Sequence, residues 1–334
     1  MTNKTLSEFR QDLVSGAWVL FSTKRAQKPH SIKTIVPIMV AKDGCPFEDF
    51  EKSGNEVIWR YPDDQTFTAS LIKNKFPAVT YGLCTPVRQT GPFNIHDAVG
   101  QHEIFVLKDH DKQLADLSLN ELTQLVEAYK NRKKEIVATD NCAKYVLIFH
   151  NSGFDAGASV YHPHSQLLTT PILPPDVSRS FYGAQRFFQE HGKRVYDVLM
   201  DWEKEQGTRI VHETEHFLAF CPFVSQSPYE VRIFSKESHA HFEHMPAEYD
   251  MEFAMIFSTV LRKIKLVLNN PAYNLFFHSA PSESELGDLH EFYNWHVEIL
   301  PRLSTHAGFE EATGVMINSI DPDAAAKLLR EMDV

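Results

Sequence analysis

One stretch of the chain, Phe149-His150-Asn151-Ser152-Gly153-Phe154-Asp155-Ala156-Gly157-Ala158-Ser159-Val160-Tyr161-His162-Pro163-His164-Ser165-Gln166, concentrates side chains able to do chemistry. In an extended chain alternate residues share a face, so His162, His164 and Gln166 point the same way. Two imidazoles and a carboxamide are poor core material, because each buried polar group left unpaired costs about 1–3 kcal/mol. A His-x-His pair of this kind can bind a metal, act as a nucleophile, or do both. The loop ahead of it, Gly153 to Gly157, is rich in small residues and lets backbone N–H groups approach an anion closely. The residues alone leave these chemistries open.

Such a face needs strands to carry it. Short runs rich in branched and aromatic residues, flanked by Gly, Pro, Asn or Asp, read as strands. They are Trp18–Phe21, Val57–Tyr61, Thr66–Ile72, Ile104–Leu107, Tyr145–Phe149, Ser165–Leu168, Arg209–Val211, Phe217–Cys221, Tyr229–Phe234, Tyr273–Phe277 and Trp295–Leu300. One helix is expected from Ser118, where Glu121 completes a capping box and Leu122, Leu125, Val126 and Tyr129 form a stripe. A second is expected to open at Pro246 and stop before Asn269-Asn270-Pro271. A third is expected over Arg179–Gln206, with Gly183 and Gly192 as possible interruptions, and a last one after Asp321-Pro322.

The chain also repeats itself. Glu103-Ile104-Phe105-Val106-Leu107, a capped helix and Tyr145-Val146-Leu147-Ile148-Phe149-His150 are echoed by Glu230-Val231-Arg232-Ile233-Phe234, a Pro-started helix and Tyr273-Asn274-Leu275-Phe276-Phe277-His278. His164-Ser165-Gln166 is echoed by His296-Val297-Glu298, and matching elements lie about 130 residues apart. Strand, helix, strand, strand twice over predicts an α+β fold with two copies of one unit, each an antiparallel sheet backed by its helix. The expected division is 1–172, a connecting segment 173–207, and 208–334.

Composition sets bounds on this. The 334 residues suit roughly two domains. They are 43% hydrophobic and 23% charged, which excludes a disordered tail or a fibrous repeat. A net charge of −11 supplies no general field for gathering nucleic acid, so no nucleic-acid partner is expected. No apolar run reaches the ~18 residues of a membrane span, and MTNKTLSEFR has no signal-peptide core. Four scattered cysteines, Cys45, Cys84, Cys142 and Cys221, form no secreted disulfide framework. A soluble, cytoplasmic protein without a membrane partner is expected.

The spacing Phe-x-Asn-x-Gly-x3-Gly-x4-His-Pro-His-x-Gln resembles the active-site signature of the galactose-1-phosphate uridylyltransferases, members of the histidine-triad superfamily. The resemblance extends over nearly the whole chain. It includes Phe9-Arg10-Gln11-Asp12, Arg25 to Pro29, Cys45-Pro46-Phe47, Asn74-Lys75-Phe76-Pro77, Lys108-Asp109-His110, Phe277-His278 and Trp295-His296-Val297-Glu298. It implies a tandem duplication of a histidine-triad-like unit. It also implies a nucleotidyltransferase in which His164 attacks the α-phosphorus of a nucleoside-diphosphate hexose to give a nucleotidyl-histidine. Neutral imidazole suits that role, since an unperturbed pKa of about 6.5 leaves it largely unprotonated at pH 7. Gln166 would hydrogen-bond the phosphate oxygens. Asn151, Gly157 and Ser159 would hold phosphates and ribose, Asn74 the nucleoside, and Arg25 and Lys28 the diphosphate. The partners implied are a nucleoside-diphosphate sugar and a sugar 1-phosphate, most simply UDP-glucose and galactose 1-phosphate. ADP-glucose phosphorylase is the nearest alternative. A dinucleoside-polyphosphate phosphorylase or hydrolase, and a non-catalytic nucleotide- or metal-binding relative, stand behind it.

The resemblance further implies a zinc ion held by Cys45, His110 and His162. Glu48 stands where the family has a second cysteine, and carboxylate is a legitimate zinc ligand. A second metal near His278, His296 and Glu298 is not expected with the same force. Glu298 stands where some members have histidine, and Ser180 lies near the position of a missing carboxylate. His150 and Ser152 also depart from the family pattern, which bears on substrate identity. A homodimer is implied.

Overall fold

A computed structural model describes residues 7–27, 41–282 and 290–334 of the protein. The chain begins with a hairpin, β1 (Ser7–Gln11) and β2 (Trp18–Ser22), and the short helix α1 (Phe50–Ser53). β3 (Val57–Tyr61), β4 (Ala69–Lys73), a small hairpin of β5 (Arg88–Thr90) and β6 (Phe93–Ile95), and β7 (His102–Leu107) follow. Then come α2 (Leu119–Thr139), β8 (Tyr145–Ser152), β9 (His164–Thr170), α3 (Pro175–His191) and α4 (Val195–Gln206). The second half runs through β10 (Ile210–Glu213), β11 (Phe217–Phe220), β12 (Val231–Ser235), α5 (Asp250–Val267), β13 (Tyr273–His278) and β14 (His296–Pro301). It closes with α6 (Gly308–Thr313), β15 (Met316–Asn318) and α7 (Pro322–Glu331).

Ten strands form one antiparallel sheet in the order β10-β11-β12-β14-β13-β8-β9-β7-β4-β3. Numbered within each half, both sets of five have the same order, first-second-third-fifth-fourth, and the two fourth strands pair. The duplication is therefore a property of the backbone. Gln166 pairs with Phe149, Phe149 with Phe276, and Phe276 with Glu298. Phe149 and Phe276 are equivalent residues that face one another, so a local twofold passes between them. Ile104 and Arg232 extend the same row, next to Gln166 and Glu298 respectively.

Side chains alternate across this sheet. One face carries Phe105, Leu107, Ile148, Leu167, Leu275, Phe277, Val297 and Ile299, packed with Leu122, Val126 and Tyr129 of α2 and Phe253, Phe257 and Val260 of α5. Period two then puts His102, Ile104, His164, Gln166, Phe149, Asn151, Asn274, Phe276, His296, Glu298 and Arg232 on the other face. Helix burial thus fixes which face is left for chemistry. The α2 cap is present as expected, with Ser118 N donating to Glu121 Oε2 at 2.7 Å.

Three expectations are corrected. The segment expected as one helix over Arg179–Gln206 is two, because Gly192 adopts φ 63° and ends α3. Gly183 does not interrupt α3; it lets the helix pass so close to the N-terminal hairpin that a Cβ there would lie 1.8 Å from the Val14 carbonyl oxygen. α5 starts at Asp250, since Pro246 is extended (ψ 140°) and is followed by a single 3-10 turn, Ala247–Tyr249. Cys84 and Cys142 pair as a disulfide across 58 residues, tying the loop between β4 and β5 to the turn after α2. Cys45 and Cys221 are free. Among the described residues no helix is long and apolar enough to cross a membrane.

Candidate active site

β9 presents His164 at its first position, with only 6% of the residue exposed. Its Nδ1 lies 2.8 Å from the His162 carbonyl oxygen. A carbonyl only accepts, so Nδ1 carries the proton and Nε2 carries the lone pair. Burial pushes the His164 pKa down, which keeps the ring neutral. Phe47 packs its ring edgewise at 5.2 Å, which limits tilting of the imidazole. The result is an oriented neutral imidazole whose free Nε2 lone pair can act as a nucleophile.

Gln166 is held from β7. His102 Nδ1 accepts from the Ala78 backbone N–H at 3.0 Å, so its proton sits on Nε2 and is donated to Gln166 Oε1 at 2.9 Å. With its oxygen engaged, Gln166 keeps its NH2 group to donate elsewhere. Asn74 packs on the same ring, its Nδ2 3.1 Å from His102 Nε2, while its Oδ1 accepts from Phe76 N at 2.9 Å. Sequence reasoning missed His102. The available signal was a histidine at the head of an apolar strand, on the face shared with Ile104.

Asn151 is paired across the joint between the halves. Asn274 Nδ2 donates to Asn151 Oδ1 at 2.7 Å and to the Ala156 carbonyl at 2.8 Å. That anchors the Gly153–Gly157 loop, where both glycines adopt left-handed φ values of 82° and 85°. Gly157 and Ser159 are exposed. Arg25 is exposed on a 3-10 turn, Thr23–Gln27, with no partner among the described residues. Lys28 lies outside the described residues. His150 and Ser152 sit on the opposite, helix-backed side of β8. There His150 Nδ1 meets Ser165 Oγ at 3.0 Å, and Ser165 Oγ also accepts from Tyr129 at 2.6 Å. Burial pushes His150 down to about 3, so it is a neutral core imidazole on the side of the sheet away from the His164 ring.

The metal candidates converge beside this strand. Ligand atoms of Cys45, His110 and His162 all lie within 4.8 Å of one another. Cys45 Sγ is 3.7 Å from His162 Nδ1, and Glu48 Oε1 is 3.1 Å from His110 Nδ1 and 3.3 Å from His162 Nδ1. Tetrahedral zinc with bonds of ~2.0–2.3 Å separates its ligands by roughly 3.3–3.8 Å, a range that holds the Cys45–His162 and Glu48–His162 spacings, while the three-ligand cluster itself is Cys45, His110 and His162 with Glu48 at its side. His162 Nε2 donates to the Leu107 carbonyl at 2.6 Å, which turns its Nδ1 lone pair toward the cluster.

The second candidate cluster is organised differently. Glu298 Oε1 receives Arg232 at 3.0 Å and Glu298 Oε2 lies 2.9 Å from His278 Nε2. Arg232 also holds Glu230 at 2.9 Å. A guanidinium thus occupies the charge-balancing place, and among the described residues only the Cys45–His110–His162 group forms a three-ligand cluster.

The family model described as galactose-1-phosphate uridyl transferase, N-terminal domain, matches residues 1–174. Another, a domain of unknown function, matches residues 95–333. An ADP-glucose phosphorylase of Arabidopsis thaliana is 32% identical, over 98% of this chain and 93% of its own length. A galactose-1-phosphate uridylyltransferase of Thermotoga maritima is 31% identical, over 98% and 99%. The crystal structure of an Arabidopsis thaliana ADP-glucose phosphorylase with bound ADP-glucose superposes with TM-score 0.83 at 29% identity, covering 98% of this chain and 100% of that one. A solved uridylyltransferase shares the fold, with TM-score 0.74 at 22% identity over 97% of both chains. Matched in sequence across both halves and in backbone throughout, the chain belongs to the galactose-1-phosphate uridylyltransferase family.

Proposed function

We propose that this protein is a nucleotidyltransferase that moves a nucleoside monophosphate between a nucleoside-diphosphate hexose and a hexose 1-phosphate, with UDP-glucose as the donor. The observation that carries this reading is the bond from His164 Nδ1 to the His162 carbonyl, which leaves Nε2 unprotonated at the head of β9. The Nε2 lone pair attacks the α-phosphorus. The P–N bond forms as the bond to the sugar 1-phosphate oxygen breaks, and sugar 1-phosphate leaves with that electron pair. The Nδ1 proton stays on the ring, so the His162 carbonyl faces the positive charge the imidazole acquires. Gln166 donates its NH2 to a non-bridging phosphate oxygen as charge shifts there. Attack by an incoming hexose 1-phosphate oxygen returns the electron pair to Nε2 and releases the new sugar nucleotide.

Asn74, Asn151, Gly157, Ser159, Arg25 and Lys28 are assigned to nucleotide and phosphate binding in this reading. Cys45, Glu48, His110 and His162 would hold zinc, whose contribution is structural. With zinc bound, His162 would be held in place, and with it the carbonyl that orients His164. The halves 1–172 and 208–334, the segment 173–207 as connector, a homodimer and a cytoplasmic location complete the proposal.

The test is incubation with UDP-glucose followed by mass analysis of the His164 peptide, which should carry a uridylyl group. No adduct from UDP-glucose or ADP-glucose, with turnover intact in His164→Gly, would refute the reading. A second reading, an ADP-glucose phosphorylase passing adenylyl to inorganic phosphate, is favoured by the 32% identical Arabidopsis thaliana relative. A thermal-shift comparison of UDP-glucose and ADP-glucose separates the two, since the true donor raises the melting temperature.

A further inference from the structure

The second half of the chain brings a cation to the first half's site. β14 ends at Pro301, and alternation puts the next residue, Arg302, on the sheet face of Glu298 and Leu300. Its backbone N–H donates to the Ala272 carbonyl at 2.7 Å. Gly153 packs on that same residue, so closely that a Cβ there would lie 2.9 Å from the Ala272 Cβ. The Arg302 Nε donates to Asn274 Oδ1, and Asn274 Nδ2 carries the link on to Asn151 Oδ1 and the Ala156 carbonyl. Asn274 thus aims a guanidinium at Asn151 and the Gly153–Gly157 loop. His150 pairs with Ser165, so Asn151 and His164 meet next in the ladder, and Asn151 pairs with Asn274. His164 and Asn274 therefore stand two strands apart, roughly 10 Å between Cα atoms. A diphosphate beside His164 and the long Arg302 side chain together span that gap.

Only the Nε of Arg302 is committed. Its two Nη groups have no hydrogen-bond or ion-pair partner among the described residues, and solvent reaches them although the residue is partly buried. Glu298 acts on Arg302 through space, but its oxygens are taken by Arg232 and His278. Arg232, another arginine on this face, is held between Glu230 and Glu298. Arg302 is then an anchored planar fork with its outer donors free, the geometry that grips a phosphate bidentately. Asn74, Asn151 and Gln166 are neutral, whereas a phosphomonoester carries a charge of about −1.5 to −2 at pH 7. Room is left for it, since a Cβ on Gly157 would meet nothing within 4 Å.

We propose that Arg302 binds the phosphate dianion of the acceptor, a sugar 1-phosphate or inorganic phosphate, with Asn274 as its positioning residue. That this phosphate is the acceptor's rests on the nucleotidyltransferase reading of His164; its binding at Arg302 is measured without turnover.

The experiment is titration calorimetry on the full chain with galactose 1-phosphate, glucose 1-phosphate and inorganic phosphate, and with glucose as the uncharged control. At least one phosphate should bind saturably and glucose should not. Arg302→Gln should weaken that binding roughly ten- to a hundredfold, as for one lost hydrogen bond between charged groups, and Arg302→Lys should recover part by keeping the charge. The tightest ligand names the source: a sugar 1-phosphate for transfer between hexoses, inorganic phosphate for phosphorolysis. Unchanged affinity in Arg302→Gln overturns the inference, as does equal loss in the Gln and Lys variants, which a purely structural role predicts. Failure of all three phosphates to bind wild type overturns it too. Circular dichroism and thermal unfolding check the variants, and the wild type supplies a measurement that needs neither. Phenylglyoxal should label Arg302, read by peptide mass, and the bound phosphate should slow that labelling several-fold; an unchanged rate overturns the inference. The His164 adduct, measured in parallel, reports on the nucleotidyltransferase reading by itself.

Discussion

His102 does its work through another side chain, and that can be measured. Removing the Gln166 amide should lower kcat by about 10²–10³, as for one lost transition-state hydrogen-bond donor. His102→Ala should cost about tenfold, because Gln166 then turns freely. If His102 acts only by aiming Gln166, the double variant should be no slower than Gln166→Ala alone; additive losses would reject the link. The metal site makes a separate prediction. Purified protein should carry one zinc per chain by elemental analysis, and Cys45→Ser should lose it, since a hydroxyl is a far weaker zinc ligand than thiolate. At this scale the His162–Gln166 face was legible, because a period of two needs no tertiary information. His102 was not. Its role depends on which ring nitrogen carries the proton, and that is set by the Ala78 backbone, twenty-four residues away.

Among the elements, α2 and α5 were the easiest to read, each announced by its apolar stripe. Their mutual contact was not. Lys130 of α2 donates to Asp250, the first residue of α5, at 2.5 Å, with both residues under 5% exposed. A pair so buried is costly to break on one side only. Lys130→Met should destabilise the protein by about 3–5 kcal/mol in urea unfolding, and Lys130→Met with Asp250→Leu should recover most of the loss. Equal destabilisation of the single and double variants would mean that packing, not the stranded carboxylate, sets the cost. The sequence pattern could not show this pair, because a lysine and an aspartate on helix faces ordinarily meet water. The split of the connecting helix at Gly192 turned on a single left-handed residue. β1, β5, β6 and β15 were missed because short strands at an edge carry little periodic signal.

For the whole molecule, the repeat spacing of about 130 residues foretold two like units, and their two sheets join into one of ten strands, an extended sheet that such a repeat allows. In hindsight β8 and β13 carry apolar residues on both faces, as strands in the middle of a sheet do. The folded state also hides histidines from protons. Burial pushes His150 and His241 each down to about 3. Their folded pKa values lie below the unfolded value of about 6.5, so on acidification the unfolded chain binds protons first. Stability should therefore be retained above pH ~6.5 and lost as pH falls toward 3, at up to ~1.4 kcal/mol per pH unit for each group. Thermal unfolding at pH 7, 6 and 5 should show the fall, and His150→Gln should make it shallower; an unchanged slope would remove His150 from the account.

The pairing of β8 with β13 has one more consequence. Cutting the polypeptide anywhere in 173–207 would leave each fragment with a raw strand edge flanked by its own helix. Each edge is the complement of the other, so the fragments have a built-in reason to find one another when made as separate chains. Either one alone would offer that edge to whatever strand it met first, which is the route to aggregation. Covalent continuity in this protein thus guards against stray association as much as it joins two folded units.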